Sequence, residues 1–221
     1  MKIKVKVLII MFLLSGLHIV STVLGEGLKV KSFMDLKYLK IDRQMAEFTC
    51  GVAVLSTLLN YYGIPAKEEE IAEEFFKKMM EEKRGITFLD MKEFALNRGF
   101  EAYGYKMNYS GLVKVTDEIS LPIVVHMRSD FTGKEVGHFS LLIGVVDDWI
   151  VLNDTAVGRK IISVDEFMLL WTGFVLVIKP NGEDLIKKGY ARIEKERGKA
   201  VRYVSKINFY QNIPFKFRNP F

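Results

Sequence analysis

The chain has 221 residues, 49% of them hydrophobic and 27% charged, which is enough apolar material for one sizeable domain with an extension. Its 32 basic and 27 acidic residues give a formal charge of +5, and Lys2, Lys4 and Lys6 account for three of those charges, leaving +2 on the remainder. Lysines and glutamates are interleaved without a basic stripe, so the composition argues against nucleic acid as a partner.

The first 25 residues, MKIKVKVLIIMFLLSGLHIVSTVLG, set a basic start before an apolar run and small residues near Ser21 and Gly25. That is the layout of a secretory signal peptide. The apolar run over residues 7–24 is long for such a segment, so an uncleaved N-terminal membrane anchor is the alternative. Either reading exports the chain beyond Glu26 to a periplasmic or other extracytoplasmic location and makes His18 a targeting residue. Cys50 is the only cysteine, and an exported thiol without a partner in its own chain is buried and inert, paired between chains, or reactive.

Residues 26–43 alternate weakly and read as an extended approach to a domain over 26–180. Val52, Leu55, Leu58, Leu59 and Tyr62 fall at helical spacing and Gly63 and Pro65 end the pattern, so Thr49 or Cys50 stands at a helix N-terminus. A second helix is expected from about Lys67 to Lys83, its EEEIAEEFFKKMMEEKR charges forming a solvated face. A third opens at Thr87, spaced to Asp90 as in a capping box, and stops at Gly99.

The period then changes, and FEAYGYKM (100–107), LPIVVHM (121–127), HFSLLIGVV (138–146), WIVLND (149–154) and GFVLVIKP (173–180) read as strands. Asp147 and Asp148 supply a tight turn, and SVDEFMLLW (163–171) reads as a short capped helix. Helices first and strands second give an α+β fold, a helical half packed on an antiparallel sheet. Residues 181–221 form a charged and aromatic C-terminal extension in which no motif stands out.

A cysteine at a helix N-terminus faces backbone N–H groups and the positive end of the helix dipole, both of which favour thiolate. A small hydrophobe opening a buried helix would look the same, and only other residues can separate the two readings. Gln44 lies six positions earlier, where its amide could reach the oxygen that becomes negative when a carbonyl is attacked. His138 opens one strand and Asp154 closes the next, and in an antiparallel hairpin these two ends are neighbours. Cys50 as nucleophile, His138 as acid and base, Asp154 as orienting carboxylate and Gln44 in the oxyanion hole make a set for cysteine nucleophile catalysis.

RQMAEFTCGVAVLSTLLNYYG, with VGHFSLLIGVVDDWIVLNDTAVG downstream, resembles the bacteriocin-processing peptidases that cut after double-glycine leaders, a branch of the papain-like cysteine peptidases. GITFLDMKEFALNRGFEAYGYKM is similar to the segment that joins the two halves in that family, and the likeness runs from about Ile41 to Pro180. The resemblance implies a papain-like fold, a cysteine peptidase activity and the same four residues. Thr49 stands where the family usually has Asp or Glu, and Asp154-Thr155 where it usually has Asp-Pro. This sequence carries no GxxxxGK[ST] loop, so the resemblance is to a stand-alone, exported member without an ATP-binding domain, and cleavage after a double glycine does not follow automatically.

His126 reads as a structural histidine with a local hydrogen bond, and Trp149 and Trp171 as core or cleft wall. One cysteine and two histidines beyond the leader do not make a zinc set, so neither a metal nor a cofactor is expected. The partner expected is a peptide or protein substrate, with membrane association through the N-terminal segment. The alternative function is a non-catalytic peptide-binding or assembly module on the same fold.

Overall fold

A computed structural model describes residues 32–46, 48–129 and 136–212. The leader, the start of the approach segment and the last residues of the aromatic tail lie outside the described residues. No helix among the described residues is long and apolar enough to cross a membrane.

The chain divides into two units, Met1–Leu36 and Lys37–Phe221. A short helix α1 (Phe33–Lys37), all but its last residue in the first unit, begins where extended chain is expected. Ser32 and Asp35 cap it reciprocally, Asp35 N donating to Ser32 Oγ at 3.0 Å and Ser32 N to Asp35 Oδ2 at 2.9 Å, a local pattern strong enough to override weak alternation.

The second unit is built on α2 (Cys50–Tyr62), of whose 13 residues 12 are buried. A helix apolar on all sides can only be central. Its buried hydroxyls are satisfied by the incoming chain: Ser56 Oγ donates to Asp42, and Thr57 Oγ1 accepts from Asp42 N at 3.0 Å. Helices α3 (Glu68–Glu82) and α4 (Phe88–Asn97) follow, and α4 opens with the expected Thr87–Asp90 capping box, both hydrogen bonds present.

Next come β1 (Glu101–Lys106), α5 (Tyr109–Ile119), β2 (Ile123–Ser129), β3 (Val136–Val146), β4 (Trp149–Asp154) and β5 (Gly158–Ser163). Then α6 (Val164–Leu170), β6 (Trp171–Lys179) and the long α7 (Glu183–Asn212) end the described chain. The strands form one six-stranded sheet in the order β1-β6-β2-β3-β4-β5, every neighbouring pair antiparallel.

Alternation splits the core in two. On one face Val124, Leu141, Ile143 and Leu176 pack with Cys50, Leu55 and Leu58 of α2, and with Ile193, Ala200 and Val204 of α7. On the other, Ile123, Val125, Leu142 and Leu152 meet Leu112 of α5 and Phe167 of α6. The C-terminal extension is thus part of the packed unit through α7. Its buried stripe, Gly189, Ile193, Glu196, Ala200 and Val204, contains a glutamate, which hides the helical period from a purely hydropathic reading.

Candidate active site

Cys50 is the first residue of α2 and is 6% exposed. Thr49, at the N-cap, makes no side-chain bond to the helix. Its Oγ1 instead accepts from Ala46 N and donates to Ala46 O, each at 3.0 Å, so the first-turn N–H groups around Cys50 are left uncapped by it. Gly51 follows because its position admits nothing larger: a Cβ there would stand 2.6 Å from Ile86 Cγ1.

The approach loop is braced on a buried carboxylate, Met45 N donating to Glu68 Oε1 at 3.1 Å. Burial raises the Glu68 pKa above the ordinary carboxylate value, ahead of the opposing hydrogen bond from Met45 N.

His138 and Asp154 are brought together by an irregularity in the β3–β4 hairpin. Val146 pairs with Trp149 and Gly144 with Val151, but Leu142 pairs with Leu152, so Ile143 is an extra residue on β3. Beyond this bulge Asp154 stands opposite Ser140, on the face that also carries His138.

His138 Nε2 lies 3.0 Å from Asp154 Oδ2. Ser140 Oγ donates to the same oxygen at 2.9 Å, while Ala156 N and Val157 N donate to Oδ1 at 2.9 and 3.1 Å. The carboxylate is therefore held in one orientation by four donors.

Burial works against the charge on the His138 ring, but hydrogen bonding to Asp154 and to Cys50, and the negative charge of both, override it and raise its pKa to about 10. Burial would likewise raise the Asp154 pKa, and the hydrogen bond and positive charge of His138, with the bonds from Ala156 and Ser140, hold it below its ordinary value. With Nε2 engaged by Asp154, Nδ1 is the ring nitrogen left for the sulfur.

Gln44 is tied to the segment that follows Asp154. Its backbone N donates to Thr155 O and its Oε1 accepts from Thr155 Oγ1, each at 3.0 Å, while Nε2 donates to Ala46 O at 3.0 Å. Both departures from the family pattern are thus hydrogen-bonding residues: Thr49 braces the loop before Cys50, and Thr155 fixes the Gln44 amide as a proline could not. An amide nitrogen carries two protons, and Ala46 takes one.

Two grooves flank these residues. One of about 310 Å³ is lined by His138, Asp154, Met127, Arg128 and Leu170. The other, of about 710 Å³, is lined by Cys50, Phe48, Phe88, Phe139 and His126. His126, read in the sequence as a structural residue with a local hydrogen bond, instead bonds across strands, Nδ1 to Thr172 Oγ1 at 3.0 Å, and also stands in the wall of the groove into which Cys50 opens. Gly137, beside His138, was the available signal for it, because a Cβ there would lie 2.3 Å from His126 Nε2.

The peptidase C39 family profile matches residues 38–183. Among curated proteins, the chain is 28% identical over 160 residues to the probable functional amyloid protease FapD of Pseudomonas fluorescens, covering 71% of this chain and 67% of that protein. It is 28% identical over 150 residues to the lactococcin-G-processing and transport ATP-binding protein LagD of Lactococcus lactis subsp. lactis, covering 65% of this chain and 19% of that one.

Among solved structures, a double glycine motif protease from an AMS/PCAT transporter, in complex with its leader peptide, matches with a TM-score of 0.52 and 27% identity, over 64% of this chain and 91% of that one. The peptidase domain of Streptococcus ComA matches with a TM-score of 0.54 and 24% identity, over 64% and 98%. The helices and six-stranded antiparallel sheet are those of papain-like peptidase domains.

Proposed function

The chain belongs to the peptidase C39 family and is a cysteine peptidase, and we propose that it hydrolyses a peptide bond in an exported peptide or protein with Cys50, His138 and Asp154 as catalytic residues and Gln44 in the oxyanion hole. The observation that carries this reading is the His138 imidazole, with Asp154 Oδ2 3.0 Å from Nε2 and Cys50 as its second polar partner.

In the proposed cycle the Cys50 thiolate, paired with His138 imidazolium, attacks the scissile carbonyl carbon. The carbonyl oxygen becomes negative and is held by the Cys50 N–H and a Gln44 Nε2 proton. Collapse breaks the C–N bond, His138 gives its proton to the leaving amine, and a thioester to Cys50 remains. Neutral His138 then takes a proton from water, the hydroxide attacks the thioester, and the C–S bond breaks to release the acid and restore thiolate and imidazolium. Asp154 keeps Nε2 engaged throughout, so that Nδ1 faces the sulfur.

The substrate class we infer is an exported polypeptide with a glycine-rich cleavage segment. Support comes from the relatives, one crystallised as a double glycine motif protease with a leader peptide and others named as a lactococcin-G-processing and transport protein and a probable functional amyloid protease. In the same reading, residues 1–25 deliver or anchor the peptidase domain over 26–180, and 181–221 are its extension.

The test is cleavage by the purified chain of peptides carrying an internal Gly-Gly, beside Cys50→Ala and His138→Ala. Products from the wild type alone support the assignment. Cleavage that survives Cys50→Ala would sink it.

A further inference from the structure

His126 lies outside the proposed triad, yet it is one of the most constrained side chains in the Cys50 groove. Opposite it β6 departs from register: Val125 pairs with Val175 but Met127 with Trp171, so Thr172, Gly173 and Phe174 bulge out. Thr172 fills the gap, its Oγ1 donating to His126 O at 3.0 Å while lying 3.0 Å from His126 Nδ1. A hydroxyl has one proton, and here the carbonyl takes it. Thr172 Oγ1 can then only accept from the ring, so Nδ1 carries the proton and Nε2 the bare lone pair.

Other features keep this tautomer neutral and fixed. Burial, and after it the charge of His138, lower the His126 pKa below its ordinary value. The ring packs against Phe88 and Phe139, with centroids 6.2 and 5.2 Å away. Nε2 sits over Gly137, where any side chain would displace it. Among the described residues Nε2 has no hydrogen-bond partner. This bare acceptor lines a groove it shares with Phe48, Phe88, Phe139, Arg84 and Thr87, where a donor on a bound ligand can reach it.

Resting on the peptidase reading, we propose that His126 is a substrate-binding residue whose Nε2 accepts a hydrogen bond from a main-chain N–H of the peptide lying in the groove beside Cys50. Main-chain N–H is the donor every peptide brings whatever its sequence, and it would otherwise be desolvated against Phe48, Phe88 and Phe139. Gly137 serves the same end by leaving the ring its place.

The test compares two alkylating reagents on Cys50: iodoacetamide, and an acylated peptidyl chloromethyl ketone ending in Gly-Gly. His126→Asn retains an amide N–H for Thr172 at the Nδ1 position but has no atom at the Nε2 position. We expect its iodoacetamide rate to match the wild type and its peptide-reagent rate to fall roughly tenfold, the loss of one neutral hydrogen bond. A reagent N-methylated at the contacted amide should show the same loss on the wild type and no further loss on His126→Asn. That N-methyl series needs no mutation, so an absence of effect on the wild type overturns the proposal even if the variant does not fold.

Equal slowing of both reagents would make His126 merely structural and overturn the proposal, as would an N-methyl series without effect on the wild type. A wild-type Cys50 that gains nothing from the peptide reagent over iodoacetamide would overturn the peptidase reading itself, and this inference with it.

Discussion

Asp154 stands in register with Ser140 and not with Leu141. Side chains alternate along a strand, so one residue of slip would send Asp154 to the face opposite His138. The extra residue, Ile143, is only 1% exposed, and its burial fixes the bulge. The hairpin therefore sets the pairing of His138 with Asp154 before any electrostatic attraction acts.

Replacing Asp154 separates its two tasks. Asparagine keeps an oxygen for the ring but removes the charge, and kcat should fall by roughly tenfold. Alanine also strands the donors Ser140 Oγ, Ala156 N and Val157 N, and kcat should fall by about 10²–10³-fold, within the range for losing an orienting carboxylate. Steady-state cleavage of a Gly-Gly peptide by the two variants gives the comparison, and equal losses would mean that charge alone matters.

The raised pKa of His138 ties stability to pH. A group whose pKa rises on folding stabilises the fold fully below its unfolded value, about 6.5, and this contribution disappears as pH climbs through the folded value of about 10. Asp154, lowered on folding, contributes above its unfolded value, about 3.9, and ceases to as pH falls through its folded one. The stability difference between wild type and His138→Gln should be greatest from about pH 4 to 6.5, shrinking on both sides. Thermal unfolding at pH 5, 7 and 9 measures it, and a difference that grows with pH contradicts the assigned charges.

Much of this was legible in the sequence because the signals were local. Apolar spacing and a glycine stop gave α2, Thr87 and Asp90 gave the start of α4, and the two aspartates gave the β3–β4 turn. Helix α5 was not read because only Leu112 and Thr116 of it are buried, and β5 because its middle residues are only partly covered. The Cys50, His138 and Asp154 spacing was visible, but the bulge that puts Asp154 on the right face has no sequence mark of its own. The setting of His126 depends on Thr172, 46 positions away, and long-range bonds of that kind leave no periodicity to find.

Thr155 should act on catalysis through Gln44. Its hydroxyl holds Gln44 Oε1 at 3.0 Å, which fixes where the amide N–H protons point. Thr155→Val keeps the shape and removes the donor. Its kcat should drop roughly three- to tenfold with KM little changed, against about 10²-fold for Gln44→Ala, the scale for losing an oxyanion donor. Activity restored by Thr155→Ser would tie the effect to the hydroxyl, whereas a change confined to KM would assign Gln44 to substrate binding.

The last prediction concerns α7, which lies almost wholly beyond the matched residues 38–183 yet inserts a fully buried glutamate into the domain. Glu196 pairs with Arg159 of β5 and Lys199 of its own helix. Arg159 Nε in turn donates to Asn153 Oδ1 at 3.2 Å, and Asn153 Nδ2 to Tyr61 Oη at 2.7 Å. Attraction within such a pair roughly offsets the cost of removing both charges from water, so its effect is to fix the register of α7 more than to stabilise it. Glu196→Ala leaves the arginine without its main partner and should destabilise the fold by about 3–5 kcal/mol, read from denaturant midpoints at constant slope. The double change Glu196→Leu with Arg159→Met should recover most of that loss. Equal destabilisation by the single and double variants would mean that the pair contributes net stability and that the docking of α7 depends on its charges.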